Sequence, residues 1–207
     1  MNKRGTSRVP LEVEIKLAIE DPKRIRKQLL KMGFRQDTPR ALEKNWVFDF
    51  DGQTLRKKGQ LLRLRDYLNQ NLLTFKGSSL QSKHYKIRLE LETEVHSSST
   101  FLKILAELGL KPRFRYEKYR TMFSPEDSKS PSSVIVTIDE TPIGNFVEIE
   151  GKPKSIRLIA AALGFSAEQY ITKSYTELFF ESKLARTRKD MVFSQASIHR
   201  TRDSSIN

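Results

Sequence analysis

Residues 9–18, Val9-Pro10-Leu11-Glu12-Val13-Glu14-Ile15-Lys16-Leu17-Ala18, set an ionisable side chain against an apolar one in strict alternation from Glu12 to Leu17. That period is the period of a β-strand, in which side chains at i and i+2 leave the same face about 7 Å apart. Glu12, Glu14 and Lys16 therefore share one face, and Val13, Ile15 and Leu17 the other. The acidic pair recurs as Glu90/Glu92 within HYKIRLELETEV (84–95) and as Glu148/Glu150 within NFVEIEG (145–151). In an enclosed site of effective dielectric near 20, two carboxylates at this spacing repel by roughly 2 kcal/mol. A closed space lined this way calls for cations.

Working outward, the same reading gives eight strands, at 9–18, 44–51, 60–67, 71–77, 84–95, 113–123, 133–140 and 145–151, with turns at Asn69-Gln70-Asn71 and Thr141-Pro142-Ile143-Gly144. The short connections predict an antiparallel sheet. Three helices follow the three acidic strands. The first is capped by Asp21 with Pro22 behind it, the second opens at Ser99 or Thr100, the third opens at Ser155, and Gly33, Gly109 and Gly164 stop them. Strand and helix thus form a loose internal repeat.

At 207 residues and 37% apolar content the chain can bury one large core. One domain over 9–182 is expected, with a flexible segment at 1–8, an exposed loop at 124–133 and a basic flexible tail at 183–207. No cysteine is present, which removes disulfides, thiolate nucleophiles and cysteine zinc sites, and the three histidines are scattered. No stretch has the length of a membrane span or the form of a secretory signal, so a cytoplasmic protein without a membrane partner is expected. Of the net charge of +13, residues 183–207 hold +4 and residues 1–8 hold +3. The remaining basic body fits a polyanion of any kind.

One face of the strands gathers seven acids, Glu12, Glu14, Glu90, Glu92, Asp139, Glu148 and Glu150. The same face gathers seven bases, Lys16, Arg63, Arg65, Lys76, Arg88, Lys118 and Arg120. An ordinary sheet with one wet side alternates too, but it mixes Ser, Thr and Asn with single charges. Paired acids and paired bases point instead to an inside-out barrel, apolar faces outward under helices and charged faces around a lumen. Carboxylates suit Mg²⁺ or Mn²⁺, and Arg and Lys clamp phosphate oxygens.

Glu12-x-Glu14-x-Lys16 resembles the opening signature of the CYTH superfamily, the triphosphate tunnel metalloenzymes, which include class IV adenylate cyclases, thiamine triphosphatases and inorganic triphosphatases. Phe48-Asp49, Leu62-Arg63-Leu64-Arg65, Thr74-Phe75-Lys76-Gly77, Arg88-x-Glu90-x-Glu92, Lys118-x-Arg120, Asp139-Glu140, Gly144, Glu148-Ile149-Glu150 and Ser174-Tyr175 follow in that family's order. The resemblance implies an α+β fold built on an eight-stranded antiparallel tunnel. It implies metal ligands among Glu12, Glu14, Glu90, Glu92, Asp139, Glu148 and Glu150. It also implies triphosphate binding by Lys16, Arg63, Arg65, Lys76, Arg88, Lys118 and Arg120, with Lys16, Lys76 and Arg120 serving catalysis.

Two reactions fit these motifs. In hydrolysis, water attacks the terminal phosphorus of inorganic triphosphate, thiamine triphosphate or ATP. In cyclisation, the ribose 3′-oxygen of ATP attacks the α-phosphorus and pyrophosphate leaves. Hydrolysis is placed first because it needs no adenine pocket, and the cyclase second. A non-catalytic polyanion or nucleic-acid module could use Trp46, Phe114, Tyr116 and Tyr119 as stacking platforms, but the interleaved acids argue against nucleic acid. The sequence leaves the oligomeric state open, a homodimer included.

Overall fold

The computed structural model describes residues 11–126 and 134–194. Its strands are β1 (Leu11–Ile19), β2 (Phe34–Gln36), β3 (Ala41–Asp49), β4 (Leu61–Tyr67), β5 (Gln70–Lys76), β6 (Lys86–Glu94), β7 (Lys111–Pro125), β8 (Ile135–Thr141) and β9 (Gly144–Glu150). Antiparallel pairing runs β7-β3-β4-β5-β6-β1-β9-β8, and β8 returns to β7, so eight strands close into a barrel. Closure leaves the barrel no open edge. The short β2 lies outside the ring, along the far end of β7. Three residues are too few for alternation to reveal a strand, which is why the sequence pattern misses β2.

The helices are α1 (Pro22–Lys31), α2 (Thr54–Lys57), α3 (Ser98–Glu107), α4 (Pro153–Ala162) and α5 (Tyr175–Glu181). Asp21 caps α1 by accepting from the backbone N–H of Lys23 and Arg24. Two expected boundaries move. Ser97 caps α3, and α4 opens at Pro153 rather than Ser155 because proline is pre-set for the first helical position. The β4–β5 turn also shifts, to Leu68-Asn69, with Tyr67 paired to Gln70 and φ of 50° and 64° at the two turn residues. Left-handed residues at both positions match the twist of a two-residue hairpin.

Apolar faces point outward, onto helices. Ile15 and Leu17 of β1 and Val147 and Ile149 of β9 are fully buried beneath Ile25 and Leu29 of α1 and Ile156 and Ile159 of α4. Phe48 and Leu64 lie beneath Leu105 of α3. Each such side chain contributes roughly 1.5–3 kcal/mol of burial, and this layer holds the charged face inward. The third apolar cluster sits differently. Phe114 and Tyr116 share their face of β7 with Lys118 and Arg120, and Phe146 shares its face of β9 with Glu148. These aromatics pack against Tyr175 and Phe179. Helix α5 therefore plugs one end of the barrel with an apolar stopper, a role the sequence pattern does not show because seven residues give fewer than two full periods.

The tail expected from residue 183 is corrected by the same cluster. Met191 is fully buried, donates its N–H to the Arg115 carbonyl (2.9 Å) and accepts from the Glu117 N–H (2.9 Å), while the Phe193 ring packs on Tyr119 at 5.1 Å. Leu184, Ala185 and Met191 are spaced too irregularly to announce this docking. The folded unit thus extends to residue 194. The segments expected at 1–8 and 195–207, and most of the 124–133 loop, lie outside the described residues.

Candidate active site

The inward faces enclose a cavity of about 330 Å³. Every predicted site residue lines it except Asp139, which is fully buried just behind the wall. Two further charged residues join the set. Glu43 of β3 is fully buried among Lys118 (3.4 Å), Arg120 (3.7 Å) and Arg65 (4.0 Å), and Lys86 of β6 lies 3.7 Å from Glu14. Lys86 was legible, being two residues before Arg88 on the same face. Glu43 was not, because β3 begins three residues before the alternation of 44–51 shows. With these two the tunnel holds eight acids and eight bases, and no net charge.

The charges are not evenly mixed. On one side β7 presents Lys118 and Arg120 to Asp139, whose two oxygens accept from Lys118 Nζ (2.9 Å), Arg120 Nε (2.7 Å) and Nη2 (2.6 Å) and the Tyr175 hydroxyl (2.8 Å). Four donors leave Asp139 little capacity for a metal; its geometry is that of an anchor for the clamp. Arg120 also pairs with Glu148, which binds Lys16 Nζ at 3.0 Å. Burial alone would raise Glu148, but Lys16, Lys118 and Arg120 hold it well below the usual carboxylate range. Glu14 is likewise raised by burial and pulled down to about 2, chiefly by Lys16.

The opposite side has acid in excess. Lys76 Nζ binds Glu12 at 2.7 Å and Glu90 at 3.1 Å, and Arg88 Nε stands 3.5 Å from Glu12. Glu150, from the neighbouring β9, makes no ion pair among the described residues. Burial first, then repulsion from Glu12 and Glu90, pushes its carboxyl up to about 7. Glu12 is raised for similar reasons, burial and then Glu14. At the mouth, the half-open Glu92 accepts from Arg65 (3.2 Å) and Thr74 (2.8 Å).

Beside these acids stand cationic donors without acceptors. Lys86 Nζ and the Nε atoms of Arg63, Arg65 and Arg88 are buried and make no hydrogen bond among the described residues. A buried, unsatisfied donor costs about 1–3 kcal/mol, more when charged. Burial, followed by the charge of Lys16, lowers Lys86 to about 7. Four idle donors around one cavity are what the oxygens of an anion would satisfy.

Glu43 is the complement to these donors. Burial would raise it, yet Lys118, Arg120 and Arg65 hold it far below the usual range. Replacing Glu43 by Gln is expected to lower the unfolding midpoint by several degrees, since an unbalanced buried cation costs about 3 kcal/mol. Added tripolyphosphate should then recover more of the loss than it adds to the unmodified protein, measured by thermal unfolding.

Two motif positions serve the frame. Asp49 accepts from the N–H groups of Phe50, Leu55 and Arg56 (2.7–2.9 Å), so that it pins the α2 turn. Ser174 forms a reciprocal capping box with Glu177 and opens α5. The stacking platforms of the nucleic-acid alternative are occupied as well. Phe114 and Tyr116 belong to the stopper, and Tyr119 lies beneath Arg40, whose Cζ is 3.7 Å from the ring centre.

Among the described residues, no three carboxylates stand close enough to form a ready metal cage. The donor set nonetheless fits a hard cation. Glu12, Glu90 and Glu150 repel one another around Lys76, Arg88 reaches only Glu12 of the three, and Glu150 is unpaired among the described residues. Oxygen ligands in excess of local positive charge are what Mg²⁺ or Mn²⁺ requires.

The CYTH domain family matches residues 10–175, and the chain belongs to that family, whose barrel encloses a triphosphate tunnel. A candidate adenylate cyclase of Methanocaldococcus jannaschii is 28% identical over 179 residues, 81% of this chain and 98% of that protein. Among solved structures, a candidate adenylate cyclase of Vibrio parahaemolyticus superposes with a TM-score of 0.71 at 18% identity, covering 82% of this chain and 97% of its own. A Hippeastrum protein described as a candidate adenylyl cyclase with a dominant triphosphatase activity superposes with a TM-score of 0.56 at 17% identity, covering 82% and 95%. CYTH tunnel enzymes depend in general on divalent metals.

Proposed function

We propose that this protein is a divalent-metal-dependent phosphohydrolase that cleaves the terminal phosphate of a triphosphate inside its tunnel. The observation that carries this reading is the pairing, within one cavity of about 330 Å³, of idle buried cationic donors with a local excess of carboxylates around Glu12, Glu90 and Glu150. The first set binds phosphate oxygens and the second binds the ion that accompanies them. Glu12, Glu14, Glu90, Glu148 and Glu150 would hold the metal, with Glu92 at the mouth; a bound divalent ion supplies charge neutralisation at phosphate oxygens and acidifies a water.

Lys16, Lys76 and Arg120 each pair directly with tunnel acids and would stabilise the charge that develops on the leaving phosphate. Arg63, Arg65, Arg88 and Lys118 orient the chain along the tunnel. Water adds to the terminal phosphorus, the bond to the bridging oxygen breaks, and pyrophosphate or an organic diphosphate departs with phosphate as the second product. Cyclisation of ATP is the second reading, supported by the names of the relatives and drawing on the same clamp. The Hippeastrum protein, described as a candidate adenylyl cyclase, has a dominant triphosphatase activity, which supports placing hydrolysis first.

A second cavity of about 800 Å³ meets the first at Leu61, Lys86 and Arg88, and its walls include Phe48, Phe114 and Phe180. Arg56 stands over the Phe180 ring at 5.1 Å. This space answers the need for a pocket that the sequence does not identify, and supports an organic triphosphate as substrate. Replacing Phe180 by Ala is expected to raise KM for ATP about tenfold, as loss of a stacking contact would, while tripolyphosphate turnover stays unchanged. Product analysis with ATP, thiamine triphosphate and tripolyphosphate in Mg²⁺ or Mn²⁺ tests the ordering. Free phosphate supports hydrolysis; cyclic AMP without phosphate replaces it with the cyclase.

A further inference from the structure

The tunnel is electrically balanced, so the whole net charge of +13 belongs to the rest of the protein. Much of it is concentrated on one side. Helix α1, PKRIRKQLLK, carries Lys23, Arg24, Arg26, Lys27 and Lys31 and no acid, and all five bases are exposed. Helix α4, PKSIRLIAAA, carries Lys154 and Arg157 with Lys152 at its cap, and again no acid. The two helices bury Ile25, Leu29, Ile156 and Ile159 in the same apolar layer, so their outer faces lie on one side of the barrel. None of the eight bases forms an ion pair among the described residues. Acids at the border of this face include Glu20, the capping Asp21, Glu126, whose N–H donates to the Gly33 carbonyl just past α1, and Glu168, which shares Tyr170 with Arg157.

Each helix also exposes one leucine among its bases. Leu30 is 41% exposed and Leu158 is 63% exposed. On α1, Leu30 falls within the arc spanned by Lys23, Arg26 and Lys27 at the helical period of 100° per residue. Apolar residues in that position have no core to serve. An apolar phase brought to the basic face would bury them.

We propose that the α1/α4 face docks on an anionic phospholipid surface, its bases meeting headgroup phosphates while Leu30 and Leu158 enter the acyl boundary. Basic clusters on amphipathic helices have this affinity, and it weakens with salt. A nucleic acid satisfies the charge but not the leucines, and neither helix exposes an aromatic or fully exposed amide side chain for a base. The contact is peripheral: among the described residues no helix is long and apolar enough to cross a membrane. It revises the expectation of no membrane partner, and it stands whether or not the tunnel hydrolyses triphosphate.

The test is co-sedimentation of the full chain with phosphatidylcholine vesicles, alone and with about one-third phosphatidylglycerol, at low and physiological salt. Binding to the anionic vesicles only is expected, with a loss of about a hundredfold or more in the K23E/K27E/K31E variant. The L30S/L158S variant should bind several-fold more weakly, with its unfolding midpoint unchanged. All three proteins should turn over triphosphate alike. No sedimentation with anionic vesicles at low salt, equal sedimentation of the charge-reversed variant, or a preference for duplex DNA that ignores the leucines would each overturn the proposal.

Discussion

Replacing Glu150 by Gln is expected to lower turnover about a hundredfold or more while making the ligand-free protein more stable. The opposite signs follow from one cause. Burial and the charges of Glu12 and Glu90 raise Glu150 from 4.5 to about 7. Below pH 4.5 the carboxyl is protonated in folded and unfolded chains alike and has no effect. Between 4.5 and about 7 the folded state holds a proton that the unfolded state has released, so stability falls as pH rises. Above 7 the full penalty applies, on the order of 2 kcal/mol after screening at this partly open site. Lys86, lowered to about 7 from 10.5, acts beyond that point. There the unfolded chain holds the extra proton, and stability recovers as pH rises toward 10.5. Ligand-free protein should thus show a stability minimum near pH 7. Gln at position 150 should flatten the acidic limb of that minimum and raise the midpoint at pH 7.5 by about 4–8 °C. It should also remove most of the stabilisation conferred by Mg²⁺, which in the unmodified protein should be larger at pH 7.5 than at pH 5. Unfolding scans across pH with and without Mg²⁺ measure all of this. An unchanged metal response together with unchanged turnover would remove Glu150 from the cation site.

Arg120→Met is expected to have the largest effect on folding. Its guanidinium bonds Asp139 twice, contacts Glu148, and lies 3.7 Å from Glu43. Methionine of similar length would leave Asp139, Glu148 and Glu43 with Lys118, Lys16 and Arg65 as their remaining cations. Breaking such a pair costs about 3–5 kcal/mol. Arg120→Lys keeps the charge but not the fork, and is expected to fold with a smaller loss while turnover of tripolyphosphate falls about a hundred- to a thousandfold, as for the removal of one donor to developing charge. Urea unfolding and steady-state kinetics on the two variants separate the anchor from the clamp. Wild-type turnover in the lysine variant would mean that Arg120 holds the wall and touches no phosphate.

Alternation carried most of the fold into view. Glu12-Val13-Glu14-Ile15-Lys16-Leu17 could be read because each charged residue has an apolar neighbour whose burial under α1 and α4 fixes which face turns inward. The same logic placed Arg63, Arg65, Glu90 and Glu148. It failed where packing is not periodic. Glu43 precedes the legible part of β3, and β2 and α2 are too short to show a period. Met191 docks through two backbone hydrogen bonds and one buried side chain, which composition does not distinguish from a tail. The stopper was hidden for another reason. Phe114, Tyr116 and Phe146 share faces with lysine and glutamate, so a single face is charged at one level of the barrel and apolar at the next, and only the depth at which α5 enters decides where the change falls. Charge pairing was legible as a list of acids and bases. Its asymmetry, clamp on one side and unpaired carboxylates on the other, depends on which strands become neighbours.

The most direct test compares unfolding midpoints of the ligand-free protein, with Mg²⁺ alone, with tripolyphosphate alone and with both. If the carboxylates and the idle cationic donors serve one cavity, each ligand relieves the charge that hinders the other, and the two together should stabilise by clearly more than the sum of their separate effects. Strictly additive shifts, or none, would place the acids and the bases in separate sites and contradict a shared tunnel for metal and phosphate.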